Sequence, residues 1–339
     1  MMKSRLPWYG SIVTRIRHLS PTQLVVITYL SAASVGALLL MLPFASADGR
    51  VMSLVDAFFM STSATCVTGL VVKNPGVHLS GFGQVVLLIM LQLGGLGYMT
   101  ISAAIGLLLH QQIALHQQLV LGMTLGEMIH RRRLLQHVLR FTLLIEGIGF
   151  ILLTIGFMRY HLPPLRALYF ALFHSASAFC NAGLDVIGNS FGGIGSFRYF
   201  PTDPIITWTL AAEIIFGGIG FLVIADWCER RKWYRLSVHS KLAILASITL
   251  WFSGAFFVGL FEWDNAVTLG QLPWWARLQS AFFQSVTART AGFSTIPTES
   301  LNHATLFLLI VLMFIGACPG GTGGGIKTTT ASVLMATVI

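Results

Sequence analysis

Three short segments carry the residue types best able to handle a bare cation. Each ends in a glycine preceded by small or polar residues: Thr65, Cys66, Val67, Thr68 and Gly69; Cys180, Asn181, Ala182 and Gly183; Thr290, Ala291 and Gly292. The stretches leading into them align without gaps. They read FMSTSATCVTG from Phe59, FHSASAFCNAG from Phe173 and FFQSVTARTAG from Phe282, at intervals of roughly 110 residues. The chemistry such a segment offers is that of backbone carbonyls. Glycine tolerates positive φ and puts no side chain in a lumen, so successive carbonyl oxygens can face one axis and replace a cation's hydration shell. A glycine that merely permits a tight extracellular turn would explain one segment; three matched copies favour a selectivity filter.

A fourth segment offers a different device. Residues 316–330 read GACPGGTGGGIKTTT, and the apolar helix before them cannot continue through Pro319 and its glycines. Non-helical backbone at membrane depth is tolerated only where it is buried in protein or faces water. Gly316, Pro319, Gly320, Gly321, Thr322, Gly323, Gly324, Gly325 and Lys327 are therefore gate candidates, with Lys327 a positive charge near the cation path. A cytoplasmic linker competes, although it leaves 306–317 short for a span. A nucleotide P-loop is disfavoured, because Ile326 separates the last glycine from Lys327 and no strand precedes the segment.

Other ionisable residues carry weaker expectations. Glu146 and Glu213 lie inside apolar runs, where a carboxylate is either functional or hydrogen-bonded between helices. Gln92 and Glu213 occupy neighbouring repeat positions, which favours structure. Arg289 is expected to face an outer vestibule or pair with an acid, and His174 to be a buried hydrogen-bonding residue. The histidines show no metal-ligand spacing. Cys66, Cys180, Cys228 and Cys318 form no C-x-x-C pair, so neither a zinc site nor a disulfide framework is expected. A membrane-embedded enzyme using Glu146, Glu213 and a histidine is a rival reading that lacks a clustered nucleophile.

The elements that must position these residues follow from composition. Of 339 residues, 55% are hydrophobic and 10% charged, with a mean hydropathy of +0.77. Soluble domains carry about 25% charged residues, so a single soluble domain, a disordered chain and a nucleic-acid binder are excluded. The chain is expected to be an all-α integral membrane protein. Apolar runs at 24–42, 85–109, 141–157, 205–225, 242–261 and 306–317 are candidate spans, the first opened by a helix start at Ser20, Pro21 and Gln23. Between them, 54–65, 168–179 and 276–287 are too short to span and read as re-entrant half-helices.

Thirteen basic residues (Lys3, Arg5, Arg15, Arg17, Arg131, Arg132, Arg133, Arg140, Arg230, Arg231, Lys232, Arg235 and Lys241) fall in alternate segments beside only Glu127, Asp226 and Glu229. That side is cytoplasmic by the positive-inside rule, which accounts for the +9 net charge and places the N-terminus inside. No cleavable signal peptide is expected. The pattern of span, half-helix, glycine turn and span divides the chain into a cytoplasmic segment at 1–19 and repeats at 20–130, 131–236 and 237–339. These are three of an expected four helix–pore loop–helix units around a central ion pore. The chain therefore reads as a fragment lacking one further repeat.

These residues resemble the Trk/Ktr/HKT superfamily of cation transporters, and within it the ion-translocating subunit of Ktr potassium-uptake systems. The carriers are ATCVTGL from Ala64, SAFCNAG from Ser177, TARTAGFST from Thr287 and PGGTGGGIKT from Pro319. The resemblance implies four repeats around one pore, one filter glycine per loop (here Gly69, Gly183 and Gly292), and an intramembrane gating loop at about 316–330. It also implies a bacterial inner-membrane homodimer, set among membrane lipids on a cytoplasmic nucleotide-binding ring that senses ATP and ADP, with no nucleic-acid partner. Potassium is the implied transported ion and sodium a coupling ion, with no organic cofactor. A sodium-conducting relative and an inactive truncated scaffold remain alternatives.

Overall fold

The computed structural model describes residues 21–97, 131–191 and 196–338, which are helical apart from turns and two isolated bridges, Ser46 with Leu79 and Ile315 with Ile326. The helices of ten or more residues are α1 (Pro21–Leu40), α2 (Leu54–Thr65), α3 (Gly81–Gly95), α4 (Arg131–Met158), α5 (Pro164–Phe179), α6 (Pro204–Gly218), α7 (Phe221–Arg230), α8 (Val238–Glu262), α9 (Trp274–Ala288), α10 (His303–Phe314) and α11 (Thr328–Val338). The order of long helix, short helix and interrupted helix occurs three times. The basic segment at 1–19, Ser20, residues 98–109 of the second expected span and Glu127 lie outside the described residues.

Local sequence sets the helix starts. Ser53 caps α2 by accepting from the Asp56 N–H at 3.1 Å, and Ser80 caps α3 through Gly83 at 3.3 Å. Asp203 accepts from the N–H groups of Ile205 and Ile206, ahead of a proline at the first position of α6. Each contact satisfies an N–H that has no partner within its helix.

Two expected spans are corrected. The run at 85–109 does not continue as one helix: α3 ends at Gly95, and Gly97 takes a φ of +70°. The run at 205–225 is broken between α6 and α7, which bend by 87°, with Gly220 at φ +91°. The tetrads GGLG at 94–97 and GGIG at 217–220 end the helices because their glycines admit close backbone approach: a Cβ at Gly94 would overlap the Thr65 carbonyl oxygen, and one at Gly217 that of Phe179. Arg131 to Arg133 and Arg140 lie on α4 rather than in a loop. By length and composition, 138–158 and 238–262 can cross a membrane unaided. Leu143, Ile151 and Ile155 on α4, and Leu245, Phe252 and Phe256 on α8, are exposed, as hydrocarbon surroundings require.

A serine joins each short helix to the long helix before it. Ser61 donates to Ala33 O at 2.7 Å, Ser175 to Glu146 O at 2.8 Å and Ser285 to Trp251 O at 2.8 Å. Three residues beyond each acceptor stands a glycine: Gly36, Gly149 and Gly254. A Cβ at Gly36 or Gly254 would overlap the serine hydroxyl itself, and one at Gly149 the Glu213 carboxylate. Small residues let the helices approach closely where the hydrophobic effect gives no help.

Candidate functional site

The glycine segments that follow the short helices α2, α5 and α9 meet one another and share one backbone conformation. Positive φ occurs at Val67 and Gly69 (55° and 79°), at Asn181 and Gly183 (57° and 63°), and at Thr290 and Gly292 (79° and 84°). The same two-residue spacing recurs in all three. Valine and threonine pay a strain penalty for such φ values, and asparagine a smaller one, so surrounding structure must enforce them. Hydrogen bonds back to the short helices do part of this: Thr68 N to Ser63 O and Ala182 N to Ser177 O, both at 2.8 Å, and Ala291 N to Thr287 O at 2.9 Å. The segments also abut in order. A Cβ at Gly69 would overlap the Ala182 carbonyl oxygen, and one at Gly183 the Ala291 carbonyl oxygen. The second and third segments thus each set a carbonyl against the glycine of the segment before.

Behind the segments the packing is aromatic and polar. Phe197 stands 5.0 Å from the His174 ring and 5.3 Å from Phe293, which follows Gly292. His174 is fully buried, with Nδ1 donating to Phe170 O at 2.7 Å and Nε2 3.0 Å from Asp185 Oδ1. Glu213 lies against Ser175, while Gln92 donates to Glu146 at 2.8 Å. The Cys180 thiol turns toward Gln92 rather than into a lumen. His174 matches its expectation, and both glutamates are hydrogen-bonded between helices at the back of α5.

The glycine-rich segment is a closed loop. Its helical flanks bound it at 315–327, since Thr328 to Thr330 belong to α11, which trims the expected 316–330. Its neck is tied by Gly316 N to Ile326 O and Ala317 N to Gly324 O, both at 3.1 Å, and by the Lys327 ammonium on Gly323 O at 2.7 Å. Its tip enters the break between α6 and α7. Cys318 N donates to Gly218 O (2.9 Å), Thr322 N to Gly217 O (3.1 Å) and Phe221 N to Gly320 O (3.1 Å). Each interruption supplies the hydrogen bonds the other lacks, so the broken backbone leaves those groups satisfied.

The loop also meets the glycine segments. Asn181 Nδ2 donates to Thr322 Oγ1 at 2.7 Å, and Thr322 Oγ1 to Phe179 O at 3.0 Å. Arg289 corrects its expectation: it neither faces a vestibule nor pairs with an acid. Its side chain turns inward because α9 ends there against α8 and the loop, donating to Gly316 O at 2.7 Å over the Trp251 ring. Sequence reasoning missed Ser61, Ser175 and Ser285. Their signal was the recurrence of Gly36, Gly149 and Gly254 at the repeat interval.

Known proteins resemble this chain along most of its length. A family profile described as TrkH, cation transport protein, matches residues 6–339. The Ktr system potassium uptake protein B of Vibrio alginolyticus is 38% identical over 318 residues, covering 92% of this chain and 67% of the relative. The potassium/sodium uptake protein NtpJ of Enterococcus hirae is 35% identical over 321 residues, covering 94% and 69%. The solved potassium transporter TrkH of Vibrio parahaemolyticus shares the fold, with a TM-score of 0.65 at 21% identity over 92% of this chain and 59% of its own. The chain thus spans about two thirds of the length of the curated relatives, and less of the solved one.

Proposed function

The chain belongs to the TrkH family of cation transport proteins, and from that membership we propose that it is the pore-forming subunit of a bacterial potassium-uptake system. Residues 65–69, 180–183 and 290–292 act as selectivity-filter strands, and 315–327 as the gate beneath them. Potassium enters from the face opposite the basic segments and loses its water shell to backbone carbonyls. It then moves inward down its electrochemical gradient once the loop yields. The short helices point their carbonyl ends, the negative poles of their dipoles, toward the same region. No catalytic chemistry is required. The subunit works as a homodimer surrounded by membrane lipid, regulated by a cytoplasmic ring that binds ATP or ADP.

The observation that carries this reading is the threefold match of positive-φ pairs, with Gly69 and Gly183 each set against a neighbouring segment's carbonyl. Such repetition is costly for Val67, Asn181 and Thr290, and a simple turn has no use for it. The test is competitive uptake of potassium and sodium by the native system in a potassium-auxotrophic bacterium. Gly69→Ser places a side chain against the Ala182 carbonyl, and the potassium-over-sodium preference should drop about tenfold, the equivalent of 1.4 kcal/mol. Wild-type preference in that variant would remove the filter assignment. Sodium conduction or coupling is a second reading, favoured by the likeness to the potassium/sodium uptake protein. It is chosen instead if wild-type protein carries sodium as readily as potassium.

A further inference from the structure

Arg289 has no place in the ion path as described, yet it is a buried cation inside the membrane. It is 6% exposed. Among the described residues no carboxylate lies within ion-pair distance of it, and its Nε and Nη1 have no hydrogen-bond partner. A guanidinium does not shed its charge in a protein, and removing it from water is costly unless other groups replace the hydration. Here the replacements are the Gly316 carbonyl, at 2.7 Å from Nη2, the Cys318 thiol of the same loop, and the Trp251 ring, 5.5 Å from the guanidinium carbon. The next residue, Thr290, belongs to the third glycine segment and packs against the same loop, where a Cβ at Gly323 would overlap its hydroxyl. Lys327 donates to Gly323 O at 2.7 Å.

We propose that Arg289 is a positioning residue that latches the intramembrane loop to the third filter strand. The inference rests on reading 315–327 as the gate. While the loop is in place, Gly316 O accepts from the guanidinium. When the loop withdraws, the charge keeps only the Trp251 face until water reaches it. The dry, closed arrangement is therefore favoured, and opening requires that water enter beneath the filter, as passage of a hydrated cation also requires. Because Arg289 and Thr290 are consecutive, loop movement and the geometry of the third strand change together.

The test is tracer rubidium flux through the native transporter in proteoliposomes without activating ligand. It compares wild type, Arg289→Met, Arg289→Lys and a deletion of residues 320–325. Arg289→Met keeps length and apolar packing but removes the charge, and resting flux should rise about tenfold, the scale of losing one hydrogen bond to a charged group. Arg289→Lys, which can still donate to Gly316 O, should fall between it and wild type, all at comparable melting temperature. If the deletion raises flux while Arg289→Met stays at or below wild type, the latch is overturned and the gate stands. If neither raises flux, the gate reading fails and takes the latch with it. Should Arg289→Met not yield folded protein, Trp251→Leu decides: a rise of a few fold supports the latch, and unchanged flux overturns it.

Discussion

At the scale of single residues, this protein places charge and strain where backbone groups need partners. Glu262 shows how far one side chain reaches. At the end of α8, its carboxylate accepts from Asn265 Nδ2 and Thr268 Oγ1, each at 2.7 Å, from the Asn302 N–H at 2.8 Å and from the Thr305 hydroxyl. It is fully buried and joins the end of α8 to the start of α10. Glu262→Ala would leave four donors without this acceptor, so a loss of about 3 kcal/mol or more is expected. Thermal unfolding of the solubilised protein checks this; a melting temperature within error of wild type would remove Glu262 from that role. The glycine segments work oppositely: Val67, Asn181 and Thr290 are held in a costly conformation that their neighbours over-determine.

At the scale of elements, the breaks matter more than the helices. The bend between α6 and α7 and the loop at 315–327 exchange hydrogen bonds, so each interruption leaves buried backbone groups unpaired without the other. Beyond the bend, α7 is tied to the start of α8 through Asp226. Burial raises its carboxyl, but hydrogen bonds from Ser240 and Ser237 and the Arg230 guanidinium outweigh that and hold it below its ordinary 3.8. Both Ser237 groups lie within 2.9 Å and Arg230 Nε within 2.7 Å. A lowered carboxylate stabilises the fold above its unfolded value, and that contribution is lost as pH falls through the lower folded value. Fluorescence of Trp227 and Trp233, which flank this junction, should therefore change below about pH 4 in wild type. Asp226→Asn should show no such transition; an identical transition in both proteins would place its cause elsewhere.

At the scale of the whole molecule, the proposed orientation has a direct check. Exposed Cys228 lies at the end of α7, among Arg230, Arg231, Lys232 and Arg235. If the basic face is cytoplasmic, a membrane-impermeant maleimide added to intact cells should leave the Cys228 peptide unlabelled, and permeabilisation should expose it. Labelling in intact cells would invert the topology and the direction in which the loops face. The exposed apolar side chains of α4 and α8 mark the lipid surface on the same reading, while the buried core gathers around the ends of α2, α5 and α9.

Much of this was legible in the sequence because the signals are local. Hydropathy marks what lies in a bilayer, run length separates 54–65 from a full span, and glycine and proline mark where a helix must stop. The three glycine segments stand out since the same backbone demand selects a glycine at a repeated interval. The tetrads at 94–97 and 217–220 were visible as echoes but not as breaks, because a glycine pair ends a helix only when another backbone presses against it, here Thr65 and Phe179. The partner of Arg289 was equally hidden. A carbonyl acceptor carries no side-chain signature, and Gly316 is contributed by a segment far along the chain. Sequence by itself determined the membrane class, the half-helices and the site of the broken third-repeat helix. Only the tertiary structure decided which orphaned backbone groups and buried charges satisfy one another, since that depends on contacts between elements that no local spacing encodes.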